Sequence, residues 1–452
     1  MKKIIYCAVL AFVIASATIV AGISVYLIKN TSTALASQQQ PKENVTLTVL
    51  FNLFNPPKGG KPLLDNALNK LRSNHPNLNI NVRYIETDYN PPGNTRNQML
   101  KAITNGTSID IVSLDQIWLG EFAQKGLLTD LTNYTEKWGR ASEWYQSNFA
   151  GGVYKGKVYG IWYETDVRGI WYWKDLLSKA GVDPSSLQTW DGYIESAKKL
   201  DSVLRSKGIE GVYLSAVNQG APDVWYPYLW MLGGDIIKEK AGHPTKGTYW
   251  FPAYNDSKGV RAMNFIKAQI DAGIKPQNKW YAGKEFANRN VSVMIEGSWM
   301  PSNIPKQELG NIGFIPMFPV PDKNTKTSTL MGGWEFSIPR TSSHKDLAWE
   351  LIEIMLEPSI LSPWLAEQVY LPTQINLGEG PGPYTEQLRR SIPFYDQMVS
   401  MIPEGGSRPS IPEYPTIAEN IRQALDEVDH GLKDPKQALQ EAAAKSAKAL
   451  GW

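Results

Sequence analysis

"VTLTVLFNLF" (45–54), "PLLDNALNKLRSNHP" (62–76) and "LNINVRYIE" (78–86) decide how the chain is built. The first is a short apolar run rich in β-branched residues, the pattern of a buried strand. The second carries apolar residues at helical spacing and stops before a proline. The third alternates like a strand with one wet face. "NTRNQMLKAITNG" (94–106) then reads as a helix ending at Gly106, and "IDIVSL" (109–114) as a third strand. Strand, helix, strand, helix, strand at this pitch predicts an α/β fold, a parallel sheet with crossover helices.

Toward the N-terminus, Lys2 and Lys3 precede residues 4–28, which carry no charge. As a helix this run would be about 37 Å long, enough to cross a hydrocarbon core of roughly 30 Å. Residues 1–29 are therefore read as a transmembrane anchor or signal segment, with retention favoured, and 30–43 as a polar tether. The rest of the chain is expected outside the cell, at its surface. The only cysteine, Cys7, lies inside the apolar run, so the exported part has no disulfide. Its stability must come from its core, and a chain of 452 residues suggests two domains or lobes.

Charge is nearly balanced, 46 Lys and Arg against 44 Asp and Glu, which does not match the basic footprint of a nucleic-acid binder. The 16 Trp and 21 Tyr suit a protein that handles ring-shaped ligands. The four histidines are scattered in polar or helix-end settings and read as surface residues. HExxH, cysteine-cluster, GxxxxGK[ST] and GxSxG patterns are all missing from the sequence, so metal, phosphate-loop and nucleophile-elbow readings lack support.

Farther along, "VYKGKVYG" (153–160) reads as a hairpin turning at Lys155-Gly156 and "RGIWYW" (168–173) as a strand. "TWDGYIESAKKLDSVLRSKG" (189–208) is a helix capped by Thr189. "VWYPYLWML" (224–232) is a mostly apolar helix broken or kinked at Pro227, and "NVSVMIEG" (290–297), "IGFIPM" (312–317) and "WEFSIP" (334–339) are strands. Beyond Pro339 the pattern is nearly all helical.

Four spots combine an aromatic with a carboxylate or arginine, on what read as loops just after strands. They are Asp115 with Trp118; Trp162, Tyr163, Glu164, Asp166 and Arg168; Glu296 with Trp299; and Gly332-Gly333-Trp334. Ligands of open α/β sheets lie outside the carboxyl ends of strands. Sugars suit such a mixture, because their C–H faces stack on indole while hydroxyls pair with carboxylates, Arg and backbone. Paired glycines let backbone approach a ligand closely. Glu164 with Asp166 could instead serve as a glycosidase carboxylate pair, and acids boxed by aromatics could hold a polyamine or other cation. Arg168 and Arg408 argue against the cation reading.

Three longer stretches carry a family likeness: "GTSIDIVSLDQIWLGEFAQKGLLTDLTNY" (106–134), residues 154–200 with "WYWKDLLSKAG", and "NVSVMIEGSW" through "GGWEFSIPR". With "RPSIPEYPTIAENIRQALDEV" (408–428), they resemble the extracellular solute-binding proteins of family 1. These are the sugar-binding subunits of ABC importers, including maltose- and trehalose/maltose-binding proteins. The resemblance implies a two-lobed, type II periplasmic-binding-protein-like fold, each lobe a sheet flanked by helices, with a cleft between them. Lobe 1 would comprise 44–160 and 334–360, and lobe 2 would comprise 161–333 and 361–452.

It further implies a monomeric binding protein, not an enzyme, that needs no cofactor and no metal. The ligand would be a sugar, most simply a di- or oligosaccharide such as a maltose- or trehalose-type glucoside, and the partner an ABC permease. By position, Asp115 and Asp166 match acids that bond sugar hydroxyls, with Glu164 on the ligand side. Trp299 and Trp334 match stacking tryptophans, Gly332 and Gly333 a close-approach backbone, and Arg408 a position near the ligand. Trp118, Trp162 and Trp225 complete the expected ligand-binding set. The chain departs from relatives at "GIWYETD" (160–166), where a proline and fewer aromatics are usual.

Overall fold

The computed structural model describes residues 42–53, 59–88, 92–106, 108–214, 222–276 and 282–452. The expected membrane segment and most of the tether lie outside these residues. Among the described residues no helix is long and apolar enough to cross a membrane. The chain divides into two compact units, one of residues up to Val45 with His75–Asn81, the other of Thr46–Asn74 with Val82–Trp452. In the first, Asn79 Nδ2 donates to Asn44 Oδ1 at 2.6 Å. The second holds every candidate site residue.

The strands of the main sheet are β1 (Glu43–Leu53), β2 (Leu78–Asp88), β3 (Ile111–Asp115), β4 (Ile161–Trp173), β5 (Glu210–Val212), β6 (Val291–Gly297), β7 (Ile312–Ile315), β8 (Thr329–Ser337) and β9 (Gly405–Gly406). They form one sheet in the order β2-β1-β3-β8-β4-β6-β5, with β7 beside β4 and β9 beside β8. The predicted parallel pairing appears between β1 and β3. The centre is mixed, because β8 runs antiparallel to both β3 and β4. β4 pairs with β8 along residues 161–167 and with β6 and β7 along 168–173, so one long strand joins the two halves of the sheet.

Local sequence signals explain the helices. Leu63, Leu64, Ala67, Leu68 and Leu71 are buried on one stripe of α1 (Lys61–Asn74). Thr189 caps the helix Trp190–Leu204 by accepting from the Gly192 N–H. The turn at Lys155-Gly156 takes positive φ at both residues, 49° and 75°, as a two-residue hairpin requires. Pro227 does not break its helix; it stands in the first turn of Tyr226–Met231, where its missing N–H costs nothing.

Two other expectations are corrected. Residues 161–167 are strand rather than loop, and so is the Gly332-Gly333 pair. Arg168 reaches Asp166 there, with Nε 3.8 Å from Oδ1, whereas burial drives the Glu164 carboxyl well above the ordinary range. His243 is not a surface residue: it is buried, with Nε2 2.9 Å from the Leu450 carbonyl and Nδ1 accepting from the Thr245 and Lys246 amides. A second hairpin, Ile237–His243 with Gly247–Pro252, escaped sequence reading because its polar residues mask the alternation.

Candidate functional site

Strand register brings the sequence-distant candidates together. Gly332 stands opposite Asp166 and Trp334 opposite Glu164 on β4, while Trp334 also stands opposite Asp115 on β3. Side chains directly across an antiparallel pair share a face, and successive residues alternate. Asp115, Glu164, Asp166 and Trp334 therefore rise from one face, with Gly332 leaving a gap among them. A Cβ at Gly332 would lie 2.4 Å from Asp166 Oδ2 and 3.4 Å from Arg408 Nη2.

Between Trp334 and Glu335 the register slips, with Glu335 facing Trp162, so that Tyr163 is an extra residue on β4. Such a bulge re-aims the neighbouring side chains. Trp162 is turned to the opposite face, where a Cβ on Gly333 would meet its ring at 2.8 Å and Gly151 leaves room for it. Tyr163 stacks on Phe336 with ring centroids 4.0 Å apart and shares a 2.8 Å hydrogen bond with Ser113 Oγ. The structure thus does not place Trp162 with the other candidates.

β6 contributes the next piece. Gly297 pairs with Arg168, and the Ser298 N–H donates to the Val167 carbonyl at 2.9 Å. This turn sets Trp299 so that the Arg168 guanidinium lies 5.8 Å from its ring centroid. Trp118 follows Asp115 through a short 3-10 turn, in which Asp115 accepts from the Ile117 N–H at 3.2 Å. The Trp118 ring meets Trp334 edge-on, with centroids 5.7 Å apart.

An ionic network joins these elements. Arg408 Nη1 and Arg168 Nη2 both reach Asp223 Oδ2, at 3.1 and 3.0 Å. Arg408 Nη2 is 3.5 Å from Asp115 Oδ1, and Arg168 Nε is 3.8 Å from Asp166 Oδ1. All five groups are buried. Burial, with Asp166 beside it, drives the Glu164 carboxyl well above the ordinary range against the pull of the Trp334 N–H. Burial also raises Asp115 and lifts Asp166 to about 6, while Arg408 opposes both shifts. Burial works against the Arg408 charge, but Asp223 and Asp115 outweigh it and hold the guanidinium protonated. Asp223 Oδ1, Arg168 Nη1 and Arg408 Nε are buried without hydrogen-bond partners among the described residues. Buried polar atoms are rarely left so.

Asp223 was not foreseen. It precedes the aromatic helix that supplied Trp225, and nothing in "APDVWYP" announces that two distant arginines converge there. Trp225 is fully buried two residues on, with its ring 6.1 Å from Tyr226. Glu335 was also missed; burial and the neighbouring Asp115 push its carboxyl well above the ordinary range, opposed by the Trp162 side chain. Gln116 is a further unforeseen support, its Nε2 donating to the Arg408 carbonyl at 2.6 Å.

A sheet continued from half to half by one strand, with indoles and a buried polar network beside that strand, defines an α/β binding protein of the two-lobed periplasmic type. The family described as bacterial extracellular solute-binding protein matches residues 57–360, more than half of the chain, and the chain belongs to it. A binding protein of Brucella abortus (strain 2308) is 24% identical over 406 residues, covering 85% of this chain and 89% of that protein. The GacH receptor of Streptomyces glaucescens, solved unliganded and with acarbose, superposes with a TM-score of 0.73 at 21% identity, over 90% of this chain and 98% of that one. Maltose-bound MalE3 of T. maritima gives 0.72 at 21% identity, over 89% and 98%.

Proposed function

We propose that this protein is the substrate-binding subunit of an ABC importer, capturing a di- or oligosaccharide of the maltose or trehalose type and presenting it to a membrane permease. One observation carries the reading: indoles and a buried, incompletely paired polar network come together beside β3, β4 and β8, the two surfaces a sugar needs. A polyhydroxyl ligand offers both donors and acceptors, so it could satisfy Asp223 Oδ1, Arg168 Nη1 and Arg408 Nε together. That GacH and MalE3 share the fold and bind acarbose and maltose agrees with it. In this reading lobe 1 comprises 44–160 and 334–360, lobe 2 comprises 161–333 and 361–452, and Asp115, Trp118, Glu164, Asp166, Trp299, Gly332, Trp334 and Arg408 line the ligand, with Asp223 added. Gly333 and Trp162 support them from the opposite face of the sheet, and Trp225 stays in the proposed ligand set.

Isothermal titration of the full chain against mono-, di- and trisaccharides tests this. Stoichiometric binding with the sugar recovered intact is expected; cleavage of the sugar, lost in Glu164→Gln or Asp166→Asn, would favour a glycoside hydrolase instead. The protein is further proposed to act as a monomer held at the cell surface by residues 4–28. Native protein should then sediment with membranes and retain its N-terminal peptide by mass spectrometry.

A further inference from the structure

Glu335 is an acid that the ligand face does not use. Its side chain leaves β8 on the face of Trp162, opposite that of Trp334, and is 0% exposed. Oε1 and Oε2 both stand without a hydrogen-bond partner among the described residues. The two arginines of the network make their ion pairs with Asp115, Asp166 and Asp223 instead. What covers Glu335 is main chain. A Cβ at Gly160 would lie 2.6 Å from Glu335 Cδ and Oε2, and one at Gly152 would lie 3.5 Å from Oε2. These glycines flank the hairpin Val153–Tyr154 with Lys157–Val158, and the Gly152 carbonyl accepts from the Tyr159 and Gly160 amides at 2.9 and 3.3 Å. Neither glycine has a side chain, so the hairpin closes directly onto the carboxyl.

We propose that Glu335 is a proton-held latch: the hairpin of 152–160 shuts over the acid while it is protonated and lifts when it ionises. A carboxylate cannot stay dry without a cation or several donors, because a charge taken out of water must be compensated where it stands. Here the compensation is missing. Asp115 on β3 opposes ionisation, and from β4 the Trp162 indole alone favours it. The hairpin's own cations turn away, Lys155 to Gln124 and Lys157 to Asp130. Burial is the largest influence and keeps the acid neutral well above the ordinary carboxylate range. Ionisation therefore requires water at the carboxyl. The cover that water displaces is the Gly152–Gly160 contact, held by two hydrogen bonds beside an exposed turn at Lys155-Gly156. Gly151, Val153 and Tyr154 also wall a groove of about 640 Å³ beside Ser407–Ile411, so solvent reaches the outer side of this cover. The latch does not depend on what the ligand is.

The test compares the full chain with Glu335→Gln and Glu335→Leu, neither of which can ionise, by hydrogen–deuterium exchange and thermal melts between about pH 5 and 8. Comparison at each pH cancels the intrinsic pH dependence of exchange. A raised acid stabilises the closed state fully below its unfolded value, near about 4.3, and that stability is lost as pH rises through the folded value. Opening of 152–160 in wild type relative to the variants should thus grow about tenfold per pH unit above the ordinary carboxylate range. The wild-type melting temperature should fall relative to both variants over the same span. Should neither variant fold, wild type alone decides. At about pH 7 it should show the infrared carbonyl band of a protonated carboxylic acid, lost at higher pH together with protection of the Tyr159 and Gly160 amides. Differences that stay flat with pH, exchange of 152–160 only by global unfolding, or a wild type without that band each overturn the latch.

Discussion

Gly332 and Asp166 face each other across β8 and β4, and only the missing side chain of the glycine leaves the Asp166 carboxylate room. A methyl at position 332 would stand 2.4 Å from Asp166 Oδ2 and 3.4 Å from Arg408 Nη2, both side-chain ends that can shift. Gly332→Ala should therefore fold but displace the carboxylate, weakening ligand affinity about tenfold or more with little change in melting temperature. An affinity within about twofold of wild type would contradict this placement of the ligand.

Gly333→Ala should behave in the opposite way. Its methyl would meet the Glu164 carbonyl at 2.5 Å and the buried Trp162 ring at 2.8 Å, and a carbonyl inside a sheet cannot step aside. Overpacking of this kind costs about 1–3 kcal/mol. Urea denaturation measures it, and an unchanged midpoint would show that β4 can yield.

Trp334→Ala removes an indole braced edge-on by Trp118. If the ring stacks on sugar, affinity should fall about thirtyfold, the loss of an anchor worth about 2 kcal/mol. A core role would instead appear as about 3–5 kcal/mol of lost stability with normal affinity per folded molecule. Melting temperature and calorimetry on one sample separate the two.

Asp223→Ala leaves two buried guanidiniums without their common carboxylate oxygen. Removing one partner from a buried ionic network costs about 3–5 kcal/mol. Chemical denaturation should find a loss in that range; a loss below about 1 kcal/mol would mean Arg168 and Arg408 pair elsewhere.

Asp166 makes stability depend on pH in a definite direction. Burial lifts its carboxyl to about 6 against Arg168 and Arg408, whereas an unfolded Asp titrates near about 3.9. The folded state thus holds this proton more tightly than the unfolded chain. The stability it contributes is fully present below the unfolded value and is lost as pH rises through about 6. In unliganded protein, the melting temperature of wild type minus that of Asp166→Asn should decline between pH 4 and 6.5, by thermal melts at ~0.5-unit steps. A flat or rising difference would refute the shift.

Much of the scaffold was written locally. The apolar stripe of α1, the Thr189 cap and the Lys155-Gly156 turn each depend on residues within a few positions of one another, so the sequence alone determined them. Residue types at Asp115, Asp166, Trp299 and Trp334 likewise announced a polar and aromatic site, and the family resemblance could be read from contiguous stretches. Which of these residues share a face was decided only in three dimensions. A single extra residue on β4, Tyr163, turns Trp162 away from Glu164, and no local pattern records a bulge whose register is set by pairing with β8. Asp223 owes its place to arginines 55 and 185 residues away. A charge buried by distant partners leaves no periodic trace, because its stabilisation comes from Coulomb attraction through space rather than from the chain beside it.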